Sequence, residues 1–106
     1  MIAVADGVGG WAERGVDPGL FSKQLCRDFQ TLFNSQPSRS LKDILLKAVT
    51  MNDFTGSSTA CLAKLVTVNN KTVMQTTNLG DSGYILYRAY QEQDKILVRK
   101  VFRSKE

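Results

Sequence analysis

Past Gly56-Ser57-Ser58 the chain changes texture, and that change constrains its fold more than any other feature. Residues 59–68, 72–79, 83–90 and 96–102 are four β-rich runs, parted only by Asn69-Asn70-Lys71, Gly80-Asp81-Ser82 and residues 91–95. Links this short predict an antiparallel meander. Upstream the periodicity is helical. Asp17-Pro18 reads as a helix start, with Asp17 as N-cap and Pro18 where its missing N–H costs nothing. Phe21, Leu25, Phe29 and Leu32 then mark one apolar face, with Leu20, Cys26 and Phe33 beside them. After a polar loop with Pro37, Ser40 and Asp43 fit a capping box, and Leu41, Ile44, Leu45, Ala48 and Val49 stripe a second helix ending near Asn52. Residues 1–5 read as a short buried strand bounded by Asp6-Gly7. Strand, two helices, then a meander make an α+β pattern: an antiparallel sheet with two helices on one face.

Composition narrows the chemistry. Among 106 residues there is no histidine. That excludes Ser-His-Asp and Cys-His catalysis, H-E-x-x-H zinc sites and histidine as general acid or base. Hydrolysis by such a chain falls to carboxylates, metal-bound water, or a lysine- or cysteine-based device. Cys26 and Cys61 are too few for a disulfide framework or a thiolate zinc site and read as reduced core residues of an intracellular protein, with a single bridge left open. The formal charge is +4, with 23% charged and 42% hydrophobic residues, a mildly basic globular composition. No apolar run is long enough to suggest a membrane span. The first strand-like run starts at residue 2 without a lead-in, as if cut from something longer.

Three short segments could carry chemistry. In Ala5-Asp6-Gly7-Val8-Gly9-Gly10 a carboxylate ends a strand ahead of glycines. Asp6 and the Gly7 carbonyl would make half of a hard-cation site, and a plain glycine-rich turn fits the same residues. Asn78-Leu79-Gly80-Asp81-Ser82-Gly83 suits a hairpin turn, or presents a second carboxylate at a sheet edge. Gly56-Ser57-Ser58-Thr59-Ala60 offers three hydroxyls, for a phosphate or for a strand start packed closely on another element, and has no Walker lysine pattern.

Taken in order, these motifs resemble the metal-dependent protein serine/threonine phosphatases of type 2C. Residues 4–11, with 15–22, resemble the T-cell-activation and mitochondrial branch, and the likeness runs to about Arg88. The resemblance implies a partial four-layer αββα sandwich, with residues 1–106 one partial domain lacking N-terminal and C-terminal parts. It implies two Mg²⁺ or Mn²⁺ ions, Asp6 bridging them, the Gly7 carbonyl on one, and Asp81 at a further, weaker metal position. The nucleophile is then metal-bound water, with no catalytic side chain, and the substrate is phosphoserine or phosphothreonine on a protein. Val8 stands where many relatives carry a proton-donating histidine, and Gly83 where an arginine is usual, both as in the branch. The resemblance also suggests a mitochondrion or another organelle. No residue is assigned to substrate binding, and no oligomeric state follows.

Asp6 and Gly7 alone cannot hold two ions, so the expectation is an internal fragment with weak Mg²⁺ binding and little turnover, marginally stable or aggregating when made alone. One rival is a pseudophosphatase or phosphoprotein-binding piece. Another, weaker, is a basic sheet for nucleic acid. It rests on Tyr84, Tyr87, Arg88, Tyr90, Lys95, Arg99, Lys100, Phe102, Arg103 and Lys105, which read equally as a solvated edge that discourages strand pairing. Trp11 reads as a loop anchor, and Arg14 as a side chain that could approach a phosphate.

Overall fold

The computed structural model describes residues 1–105. Strand β1 (Ile2–Val4) is followed by a 3-10 helix over Gly9–Arg14, then α1 (Pro18–Ser35) and α2 (Leu41–Met51). Four strands follow: β2 (Ala60–Val68), β3 (Lys71–Leu79), β4 (Ile85–Glu92) and β5 (Lys95–Arg103). The α+β class expected from the sequence holds, with each β-rich run a strand and each helical stripe a helix.

The helices start where their capping residues stand. The Asp17 carboxylate accepts from the Gly19 N–H at 2.8 Å, and Ser40 Oγ accepts from the Asp43 N–H at 3.1 Å. Each bond satisfies a backbone donor that the first helical turn leaves free. Leu25, Phe29 and Leu32 of α1 and Leu41, Ile44, Leu45 and Ala48 of α2 are buried together against Ala60 and Leu62 of β2. This is the core, and it lies on one face of the sheet, as expected.

That sheet runs β1-β2-β3, antiparallel throughout, with Val4 opposite Cys61 and Ala60 opposite Leu79. Asn69 and Asn70 (φ 50° and 63°) turn β2 into β3, a pair of left-handed residues suited to a two-residue hairpin. Side chains of β2 alternate between the faces. Ala60, Leu62 and Lys64 point toward the helices, where Lys64 Nζ donates to the Pro37 and Arg39 carbonyls at 3.3 and 2.9 Å and ties down the interhelix loop. Cys61, Ala63 and Leu65 point the other way.

Two sequence expectations are revised. Residues 1–5 do not form a buried strand: Ile2 is 73% and Val4 58% exposed, while only Ala3 and Ala5 pack on the core. β1 is an edge strand whose second face stays largely exposed. The meander is also divided, because β4 pairs with β5 alone in a separate two-stranded sheet. Gly80 (φ 89°) swings the chain out of the first sheet. Asn78 Nδ2, donating to the Ser82 carbonyl, then holds the bend closed. Ser104 seals the hairpin's neck: its N–H donates to the Tyr84 carbonyl at 3.0 Å and its Oγ accepts from the Tyr84 N–H at 2.8 Å. The hairpin lengthens the molecule to 55 × 31 × 21 Å, with a radius of gyration of 16.6 Å. A compact chain of this length has about 13 Å.

Candidate active-site elbow

Beyond Val4 the pairing of β1 with β2 continues in one isolated bridge, Gly7 opposite Ser58. The Thr59 N–H donates to the Asp6 carbonyl and the Val8 N–H donates to the Ser57 carbonyl, each at 3.0 Å. This pattern engages Asp6 and Val8 and turns the Gly7 carbonyl away from the ladder. Gly7 is also pressed against the start of α1. A Cβ there would lie 2.1 Å from the Pro18 carbonyl oxygen, so only glycine lets the elbow sit this close. The Asp6 side chain is exposed at the elbow's rim.

Thr59 is the hub of the site. Its Oγ1 accepts from the Asp6 N–H at 3.3 Å and shares a 2.6 Å hydrogen bond with Ser82 Oγ. One hydroxyl therefore joins the Asp6-Gly7 elbow to the bend that carries Asp81. Gly80 packs on the same threonine, since a Cβ at that position would be 2.9 Å from Thr59 Cγ2. Asp81 is exposed and lines an open cleft of about 410 Å³ with Tyr84, Arg103 and Ser104. Asp6 and Asp81 thus stand on two loops of one junction, connected through Thr59 and Ser82.

The three hydroxyls after Gly56 are engaged within the fold. Trp11 Nε1 donates to Ser57 Oγ at 2.9 Å, Ser58 Oγ donates to the Thr59 carbonyl at 2.7 Å, and Thr59 serves as described. Of the two readings of this segment, the close-packed strand start is the one observed. Trp11 is the loop anchor expected of it, and the exposed Arg14 guanidinium lies over its ring, 5.7 Å from the centroid. Asn78 contributes without having been singled out as a site residue: besides clamping the bend it buries Oδ1 with no partner. Thr59 was legible only as one hydroxyl of three. The signal that would have raised it is register, since Ala60 opposite Leu79 puts Thr59 beside Gly80.

The donors at this junction are carboxylate and carbonyl oxygens, the ligand chemistry of hard divalent cations. They suit such an ion in kind and fall short of a two-ion centre in number. No three His, Cys, Asp or Glu side chains among the described residues come together as a ligand set. Both thiols are free, and burial pushes each of them up from its ordinary value; at Cys26 a hydrogen bond with the Ala5 backbone opposes the shift.

An oxygen-donor elbow at a strand's end, held by a helix start and a hydroxyl hub, defines a candidate hard-cation site on an α+β frame. Comparison with known proteins then says whose frame it is. The chain is 39% identical over 89 residues to probable protein phosphatase 2C 55 of Arabidopsis thaliana, covering 82% of this chain and 18% of that protein. It is 41% identical over 96 residues to protein phosphatase PTC7 homolog fig of Drosophila melanogaster, covering 83% and 30%. It is 38% identical over 99 residues to protein phosphatase PTC7 homolog of Xenopus laevis, covering 84% and 32%. No family model matches, and no solved structure matches significantly. The chain is homologous to the type 2C protein phosphatases, and it spans between 18% and 32% of the length of these relatives.

Proposed function

We propose that this chain forms part of a metal-dependent protein serine/threonine phosphatase and supplies one edge of its metal centre. The observation that carries the reading is the junction at Thr59, where the Asp6-Gly7 elbow and the Asp81 bend meet in a chain whose relatives are named protein phosphatases. In this reading the Asp6 carboxylate and the Gly7 carbonyl hold Mg²⁺ or Mn²⁺, and Asp81 serves a further, weaker metal position. When bound, such ions would supply a metal-activated water as the nucleophile and charge neutralisation for the phosphoryl oxygens.

The chain's own residues do the positioning. Packing of Gly7 on Pro18 fixes the carbonyl's direction, and Thr59 sets the distance between the two carboxylate-bearing loops. Val8 offers no proton to a leaving alkoxide, so that proton comes from water in this reading. Further oxygen donors belong to parts of the phosphatase outside the matched stretch. Substrate is phosphoserine or phosphothreonine on a protein, and the compartment, by likeness to the branch, is a mitochondrion or another organelle. No described helix is long and apolar enough to cross a membrane.

The test is Asp6→Asn in the whole phosphatase that carries this chain, with Mn²⁺-dependent hydrolysis of p-nitrophenyl phosphate as the readout. Changes in a metal's outer shell already cost about 10–100-fold, so loss of a ligand costs at least the upper end of that range. Activity kept within a few-fold of the parent removes Asp6 from the centre.

A further inference from the structure

The β4–β5 hairpin carries a charge arrangement that the phosphatase reading does not use. Residues 83–106 hold six of the chain's fourteen Lys and Arg and three of its ten Asp and Glu. In the hairpin's register Arg88 stands directly opposite Arg99, with Tyr90 opposite Leu97 next along the same face. Side chains so placed have Cβ atoms about 5 Å apart, and like charges facing each other this way are destabilising. The carboxylate on this face, Glu92, is opposite Lys95 and about 13 Å along the strand from Arg88. Arg88, Arg99 and Tyr90 together line an open hollow of about 380 Å³. Two guanidinium forks beside an aromatic ring, at the outer part of a hairpin that stands clear of the core, form an anion-binding arrangement.

The geometry points to a docking face for a phosphorylated polypeptide, with the phosphate held between Arg88 and Arg99 and an adjoining side chain laid on Tyr90. This inference rests on the phosphatase reading for its partner, and on the hairpin alone for its site. Phosphate fits better than carboxylate. It carries nearly two negative charges and three acceptor oxygens to share between both forks, whereas a carboxylate brings one charge and two oxygens to two facing guanidinium groups. Polypeptide fits better than nucleic acid. Stacking successive bases needs aromatic rings in series on one face. Here Tyr87 falls on the opposite face from Tyr90, and Tyr84 stacks on Phe102 with centroids 5.7 Å apart.

The experiment uses the 106-residue chain without added metal, so it reads binding and not hydrolysis. Fluorescence anisotropy follows four labelled probes: a phosphoserine peptide, the same peptide unphosphorylated, the same peptide with Glu at the phosphoserine, and a single-stranded oligonucleotide of equal charge. The expected result is binding of the phosphopeptide at least about tenfold tighter than the other three. Arg88→Gln with Arg99→Gln removes that preference, and Arg88→Lys with Arg99→Lys restores it only in part, because lysine keeps charge and loses the fork. Neither pair lowers the thermal midpoint, since each leaves the core untouched. Equal binding of the Glu peptide, tighter binding of the oligonucleotide, full retention in the glutamine pair, or full rescue by lysine each overturns the proposal. All of these outcomes are independent of whether Asp6 holds a metal.

Discussion

Gly7 shows how much of the candidate site is backbone. Its missing side chain admits the Pro18 carbonyl, and the proposed ligand there is its own carbonyl, so substitution acts on stability before it acts on chemistry. Gly7→Ala forces backbone apart from backbone at a site that has no flexible side chain to yield. An overpacking cost of about 1–3 kcal/mol is expected, which lowers the thermal midpoint by at least about 4 °C, as circular dichroism would record. An unchanged midpoint would mean that the elbow relaxes freely. Asp6, Gly7 and Asp81 could be proposed from the sequence because a carboxylate beside glycine is a local signal. Thr59 was not legible as a hub, because its two hydroxyl partners, Asp6 and Ser82, lie 53 residues before it and 23 after it, and only the strand register brings them together.

Among the elements, both helices could be read to within a residue or two at their starts. Asp17-Pro18 and Ser40 act on their own neighbours, and the observed caps are the expected ones. The division of the strands was not legible. A three-residue link between β-rich runs reads as a hairpin turn, and what breaks the pairing is the combination of Gly80, the Asn78 clamp and the Thr59–Ser82 bond. The elements also set a pH response. Cys26 on α1 and Cys61 on β2 keep their protons in the folded chain at a pH where the unfolded chain has lost them. Their contribution to stability is therefore complete below the ordinary thiol pKa and is lost as pH rises through the raised one. Urea midpoints should fall between about pH 7 and about pH 9.5, and the fall should shrink in a chain carrying Cys26→Ala and Cys61→Ala. An equal fall in both chains would assign the response to other groups.

Across the whole molecule the dominant feature is an apolar face that the described chain leaves largely uncovered. Ile2 and Leu65, 73% and 70% exposed, flank it with Val4 and Met74, and the hairpin's Leu86 and Tyr84 reach only one corner. Exposed apolar surface of this kind drives association. Leu65→Thr should raise the concentration at which the chain stays monomeric in light scattering, with little change in its unfolding midpoint. A fall in the midpoint comparable to that of a core truncation would place Leu65 inside a packed interface. A hard cation meeting the chain at the elbow is testable without any need for turnover, by nuclear magnetic resonance of the ¹⁵N-labelled chain. Two protein oxygens hold such an ion more weakly than the fuller oxygen cages whose weakest members bind at about 10⁻⁴–10⁻³ M, so Mn²⁺ is added in steps up to and beyond that level. Paramagnetic broadening is predicted first at the amides of Asp6, Gly7, Val8 and Thr59, then at Ser82. Broadening that begins instead around Asp17, Asp43 or Asp53, or spreads evenly over the exposed carboxylates, would contradict it.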